Sequence, residues 1–338
     1  HEVQGGSVVK PLSGKENDGP SDSGVMRPDL DTYNGVVVSH GICPKYSRFD
    51  TYHMVACAID EAIRNNIASG GSLNRMALLD NFCWSDPVES ERNPEGAYKL
   101  AQLVRANRAL YDYTTFFGTP CISGKDSMKN DYMFNDIKIS VPQTVLVSAI
   151  SKIDDVRKAV TMDAKESGDL VVIIGVTYPE MAGSEYYALF GRAGNIPPRV
   201  RAARAKRTFL KLEKVMKSGL IQSCHDLSDG GIACALAEVS FAGGLGIDVD
   251  LARVPKQSVY RDDFLLFSES QSRFIVTIKE QNVPAFEKAF KGVPYGIAGT
   301  VRSDERFVVK GLNGNTIIDT DIQTLKQAWQ EPFQKLFQ

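Results

Sequence analysis

The chain has 338 residues, enough for two domains, with 43% hydrophobic and 24% charged residues and a formal net charge of −2. That is ordinary globular composition without a basic field, so nucleic acid is not an expected partner. No uninterrupted apolar stretch is long enough to cross a bilayer, so no membrane is expected either.

Residues 1 to about 28 are rich in Gly, Ser, Asp, Pro and Lys and read as a tail or linker with little power to build a core. No secretory signal pattern is present, and the chain opens on His1 rather than Met, which reads as a tag remnant or a cut through a longer protein. Asp22 lies in this stretch and reads as an Asx-turn residue. Asn34-Gly35 then turns the chain into a strand at Val36-Val37-Val38. From Asp50 to Gly71 the residues Val55, Ala58, Ile59, Ala62, Ile63 and Ile67 recur at helical period, and Gly70-Gly71 stops the helix. Off that stripe, Glu61 and Asn65 are four apart and share a face. Two readings stand: hard-oxygen donors for a cation, or a solvated face with Asp60 and Arg64 as an i,i+4 ion pair.

Arg75 to Leu79 is a predicted strand with Asp80-Asn81 at its end, a position that often faces ligands in α/β sheets. Phe82 and Trp84 read as core. Pro94 to Phe117 is a second long helix, with Arg105 and Arg108 on its surface. Gly124-Lys125-Asp126-Ser127 invites a phosphate-loop reading, which fails. The gap from Gly118 to Gly124 is one residue too long, and Asp126 stands where Ser or Thr is needed. A turn there could still offer N–H groups, an ammonium and a hydroxyl to a phosphate. Gln143 to Ile150 is a strand, and a boundary follows near residues 151–155.

The second half restarts with a short helix and the buried strand Leu170 to Gly175. Arg199 to Lys217 is a basic helix, a candidate nucleic-acid face that the acidic balance elsewhere turns into a solvated helix. A strand-like run then ends at His225 and gives way to Asp226-Leu227-Ser228-Asp229-Gly230-Gly231 and an apolar helix through Glu238. Ser228 and Asp229 are good N-cap residues, and the glycines would let another group approach the backbone closely. The unpaired N–H groups of a helix start attract anions, and Asp226 beside them could hold a metal that a phosphate also touches. The choice is between a nucleotide phosphate with Mg²⁺ and an ordinary capped turn. Gly246 to Asp250, Ser272 to Ile278, Pro294 to Val301 and Phe307 to Val309 are strands, and Asp321 to Phe337 is helical. Strands and helices interleave in both halves, so the class is α/β or α+β. The six cysteines form no Cys-x-x-Cys pair, which disfavours zinc and dithiol chemistry and suits the cytoplasm.

Taken together, His225 to Gly231, Ala237-Glu238, Phe241 to Gly244, Asp80 to Trp84, Ser123 to Met128 and Gly183 to Tyr186 resemble the second AIR-synthetase-like module of phosphoribosylformylglycinamidine synthase, from about Asp22 to the end. The resemblance implies a tail over 1–21, an N-terminal domain over 22–152 and a C-terminal α/β domain over 153–338. It implies a share in ATP-dependent conversion of formylglycinamide ribonucleotide to the formylglycinamidine of purine biosynthesis, with ammonia derived from glutamine. Carried over by position, Asp22, Glu61, Asn65 and Asp226 would hold Mg²⁺ in an auxiliary ATP/ADP site, with Ser228 as a nucleotide contact. Asp80 and Gly124 would touch ATP in a cleft shared with the first module, and Ser127 the substrate. Lys125 stands where some members have a magnesium-binding Asn; a protonated Lys cannot ligate a cation and would meet a phosphate instead. The first module and a glutaminase domain or subunit are the implied partners, and no complete catalytic set is expected in this chain. Made alone, it is expected to form a homodimer. Rival expectations are a stand-alone homodimeric ATP-dependent enzyme of the same superfamily and a non-catalytic scaffold around structural ADP.

Overall fold

The computed structural model describes residues 5–135 and 137–336. In the first half come strands β1 (Ser7–Val9), β2 (Leu12–Ser13), β3 (Gly19–Pro20), β4 (Gly24–Met26) and β5 (Gly35–Ile42), helix α1 (Thr51–Ala68), β6 (Met76–Cys83), α2 (Gly96–Phe117), β7 (Cys121–Ser127), the hairpin β8 (Asp131–Phe134) and β9 (Ile137–Ser140), and β10 (Thr144–Ile153). In the second half come β11 (Leu170–Ile174), α3 (Glu185–Leu189), α4 (Ala202–Lys217), β12 (Ser223–Asp226), α5 (Gly231–Gly243), β13 (Ile247–Asp250), α6 (Asp262–Phe267), β14 (Phe274–Ile278), α7 (Val283–Phe290), β15 (Tyr295–Val301), β16 (Arg306–Lys310), β17 (Thr316–Asp321) and α8 (Ile322–Leu336).

Two mixed sheets organise these elements. The first has the order β1-β4-β5-β10-β6-β7 and the second β12-β14-β11-β15-β13-β16-β17. From Ser7 on, the opening segment is therefore not a tail: β1 pairs with β4 and β4 with β5, and Val9 and Val25 are buried against Val37 and Ile153. Its polar composition hides the few apolar residues that the sheet edge needs. The predicted turn at Gly124 to Ser127 is likewise a strand, β7, parallel to β6 with Asp80 opposite Gly124 and Cys83 opposite Ser127.

Helix α1 is the keystone. Asp50 caps it through the N–H groups of Tyr52 and His53. One side packs on β5 and β10 and the other meets β12 and α4. A single apolar core therefore runs from Val147 and Ala149 of the first sheet through Ile59 and Ile63 to Val172, Cys224 and Phe274 of the second. A second core lies across that second sheet, under α5 and α8. Phe82 and Trp84 are core, as expected, and Arg105 and Arg108 are exposed. Helix α4 is less solvated than its charge implies. Phe209, Leu212, Val215 and Met216 are buried, while Lys206 and Lys211 bond the last carbonyls of neighbouring helices, at Phe116 (2.6 Å) and Ala289 (2.8 Å). Among the described residues no helix is long and apolar enough to cross a membrane, and all six cysteines are free.

Candidate functional site

The described chain brings Asp22, Glu61, Asn65, Asp226 and Ser228 together in one cavity of about 200 Å³, with His40, His225 and Glu238 also on its wall. Each side chain is set by a different element. Asp22 comes just before β4, Glu61 and Asn65 sit one turn apart on α1, and Asp226 ends β12, where it pairs with Phe274. Ligand atoms of Asp22, His225 and Asp226 lie within 4.8 Å of one another.

Arg64 is the hub behind this cavity. It is fully buried, and so is Asp60, its i,i+4 partner. The predicted ion pair exists, but the solvated face does not, because α1 is enclosed between the two sheets. Arg64 reaches Asp226 Oδ2 through Nε (3.1 Å) and Nη2 (3.0 Å), Ser228 Oγ through Nη2 (2.7 Å) and Gln271 Oε1 through Nη1 (2.9 Å). Asp60 also accepts from the N–H (2.9 Å) and hydroxyl (2.5 Å) of Ser272. Ser228 Oγ donates to Asp226 Oδ2 at 2.6 Å.

On the other wall, His225 lies between two carboxylates, with Nδ1 2.7 Å from Asp22 and Nε2 3.0 Å from Glu238. Burial alone would depress the imidazole, but the Asp22 charge and the two hydrogen bonds outweigh it and hold His225 well above its ordinary range. Both ring nitrogens are thus engaged, and His225 orients Asp22 rather than offering a lone pair. Burial raises Asp22 as well. It pushes Glu61 up to about 8, against the pull of Arg64 and with help from the Asp226 and Asp229 charges. Glu61 Oε2 accepts the Ile42 N–H (3.0 Å) and the Cys43 thiol (3.3 Å).

The donor set fits a hard cation. Asn65 donates its amide N–H to the His40 carbonyl at 3.1 Å, which fixes the amide. Its Oδ1 is then buried with no partner among the described residues, an arrangement that costs free energy unless something positive arrives. Three carboxylates and an amide oxygen suit Mg²⁺ or Ca²⁺ better than a soft metal.

The glycine-paired helix start differs from its sequence reading. Ser228 and Asp229 do not cap α5. The N-cap is Gly230, at φ 73°, without a side-chain cap bond. Gly231 is also left-handed, at φ 63°, and a Cβ there would lie 2.6 Å from the Ser268 carbonyl. Backbone handedness and close packing therefore require these glycines without any ligand. Glu269 already fills the anion position: its Oε1 accepts the Gly230 N–H (3.1 Å) and the Glu185 N–H (2.8 Å), and Tyr46 donates to Oε2 (2.7 Å). Burial, reinforced by the Asp229 charge, pushes Glu269 up to about 7. A carboxyl raised in the folded state binds its proton more tightly there than in the unfolded chain. Its contribution to stability is complete below about 4.5 and is lost as pH rises through about 7. In Glu269→Gln that part of the pH slope should disappear, a difference of up to about 3 kcal/mol between the two pH limits. Urea denaturation of both proteins at pH 4.5, 6 and 8 measures it, and parallel pH profiles would contradict the assignment.

Asp80, Gly124, Lys125 and Ser127 form a separate group at the β6–β7 edge. Asp80 and Gly124 face the helix side, where a Cβ on Gly124 would be 3.0 Å from the Asp80 carboxylate. Strand alternation sends Lys125 and Ser127 to the open face. Burial raises Asp80, and Ser127 Oγ bonds Asn130 Oδ1 at 3.0 Å. Arg64, His225, Glu238 and Glu269 are the residues that pattern reading missed. For Arg64 a signal existed: α1 is apolar around much of its circumference, which marks a helix enclosed on several sides. Glu269 carried no such signal.

The two sheets with their flanking helices define an AIR synthase-related fold. Residues 166–311 match the family model described as AIR synthase related protein, C-terminal domain. Along its whole length the chain is homologous to PurL subunits of phosphoribosylformylglycinamidine synthase. It is 32% identical to that of Alkaliphilus metalliredigens over 341 aligned positions, covering 100% of this chain and 42% of the relative. The chain thus spans about two fifths of the length of the curated relatives it matches. Among solved structures, Thermotoga maritima PurL complexed with FGAR superposes with a TM-score of 0.73 at 19% identity, covering 94% of this chain and 50% of that one. Structures of that protein complexed with ATP and with ADP give 0.69 and 0.70. A chain of a HypE–HypF complex gives 0.67 at 16% identity, covering 89% of this chain and 93% of that one.

Proposed function

We propose that this chain is the second AIR-synthetase-like module of a phosphoribosylformylglycinamidine synthase. With a first module it would convert formylglycinamide ribonucleotide, ATP and ammonia to formylglycinamidine ribonucleotide, ADP and phosphate, as a cytoplasmic ligase. The observation that carries the reading is the buried oxygen cluster with its orphaned Asn65 Oδ1, in a chain homologous along its length to PurL. Asp22, Glu61, Asn65 and Asp226 would hold Mg²⁺, and Ser228, oriented by Arg64, would meet the nucleotide. When bound, the ion supplies charge neutralisation for phosphate oxygens. Arg64 holds Asp226 in place through its hydrogen bonds, and His225 does the same for Asp22.

At the sheet edge, Asp80, Gly124, Lys125 and Ser127 would form part of a cleft that another module completes. Lys125 supplies a cation for phosphate and Ser127 a hydroxyl for substrate, which is positioning and electrostatic work of the kind phosphoryl transfer needs. The open sheet face beside them supports this incompleteness: Val38, Ile42 and Ile150 point away from α1 and are at least 40% exposed. A first module would cover that face in the whole enzyme, with glutaminase as the ammonia source, and a second copy would cover it in the isolated chain.

A self-sufficient dimeric enzyme is the second reading. The HypE–HypF likeness favours it, because the shared fold there accounts for 93% of a chain. A steady-state assay with ammonia separates the two. The isolated chain should release no phosphate above background, and adding a separately made first module should restore turnover. Robust turnover by the isolated chain would reject the first reading in favour of the second.

A further inference from the structure

A cavity of about 800 Å³, sharing no wall residue with the inner pocket, opens between the 178–180 loop, the start of α4 and Gln257-Ser258. Three arginines converge on it: Arg199, Arg201 and Arg204. Arg201 is fixed as part of the wall. Its guanidinium carbon lies 3.4 Å from the Tyr178 ring centroid, and Nη2 bonds the buried Glu180 carboxylate at 2.9 Å. A second Arg201 nitrogen bonds the Arg199 carbonyl at 3.0 Å, and Arg204 bonds the Tyr178 hydroxyl. Of the three, only Arg201 has a carboxylate partner among the described residues, so the cavity carries an excess of two positive charges. Further along this segment, Lys206 and Lys211 serve neighbouring helix ends. Arg204 has only the neutral Tyr178 hydroxyl, which leaves its charge unmatched, and the N-terminal turn of the 16-residue helix α4 puts Ala202 and Ala203 on the same wall.

We propose that this cavity binds a small phosphomonoester. Two guanidinium forks without a carboxylate partner among the described residues match phosphate oxygens in geometry and charge, and the helix start adds donors on the same side. Pro179 and Ile196 offer apolar wall to the organic part of the ligand, and the volume suits a sugar or nucleoside phosphate. The loop forming the wall is tied to the segment between α6 and β14 that carries Glu269: Ser268 Oγ donates to the Tyr178 carbonyl (2.6 Å), and the Tyr178 N–H donates to Ser270 Oγ (2.9 Å).

Calorimetric titration of the full chain with ribose 5-phosphate and with inorganic phosphate tests the proposal. Ribose 5-phosphate should bind, more weakly as salt is raised, and Arg199→Ala/Arg204→Ala should weaken it at least about tenfold. Both arginines are exposed, so the double variant should keep the wild-type melting temperature, which is checked alongside. Asp226→Asn should leave this binding unchanged, so failure of the inner-pocket reading and failure of this one are distinguishable. No binding by the wild type, or equal binding by the double variant, overturns the proposal. So does a single-stranded RNA that depends on the two arginines while neither phosphate compound binds, because the surface would then serve an extended polyanion.

Discussion

Replacing Arg64 with alanine is expected to destabilise the fold by about 3–5 kcal/mol, the range for breaking a buried ion pair from one side. The reason lies in what remains. Asp60 is fully buried, and Asp226 is nearly so. The guanidinium answers both of them together with Ser228 and Gln271. Without it Asp60 keeps Ser272, while Asp226 keeps Ser228 and faces the other cavity carboxylates uncompensated. Lysine should recover only part of the loss, because an ammonium cannot reproduce a planar fork that spans four acceptors. Arg108→Ala supplies the comparison. Its i,i+4 partner is Asp112, and the arginine side chain is 67% exposed. That change should alter stability by less than about 1 kcal/mol. Urea denaturation of the three variants measures the contrast, and an Arg64→Ala protein within 1 kcal/mol of wild type would mean that the hub is dispensable.

The second large effect is on ligand binding. Asp226→Asn should reduce affinity for ADP with Mg²⁺ by about 100-fold, the upper end of the loss seen when a group merely supporting a metal ligand is removed. The amide keeps the side-chain shape and can still accept from Arg64 and Ser228, so the fold should survive. What it loses is the charge that a cation needs in a cavity backed by the positive Arg64. Asp226→Ala should bind no better but confounds two effects, since it also removes the partner of Arg64. Asn65→Ala separates them from the other side. It deletes a buried oxygen that has no partner among the described residues and should weaken the magnesium–nucleotide complex while costing little stability. Calorimetry with ADP in the presence and absence of Mg²⁺ reads all three variants. Unchanged affinity in Asp226→Asn would remove this cluster as the metal position.

How far the site could be read in advance depends on the range of the signal. The α1 stripe, the strand ending near Asp226 and the apolar helix behind Gly230 and Gly231 announced themselves, because dihedral preference and side-chain period act over a few residues. The spacing of Glu61 and Asn65 likewise put both on one turn before any partner was known. For the glycines, sequence pattern leaves two readings open. A Gly pair at a helix start reports that left-handed backbone is needed, and whether a phosphate or the Ser268 carbonyl presses against it is decided by the neighbouring chain.

Local patterning by itself thus determined the class of fold, most of its strands and helices, and which short stretches bear oxygen donors. Only the tertiary structure placed Asp22 against His225 across 203 residues, buried Arg64 between two sheets, recruited the polar opening segment into the first of them, and put Glu269 at the start of α5. Such outcomes depend on which surfaces meet. Burial, and with it the strength of every charge in the cavity, belongs to no single stretch of chain.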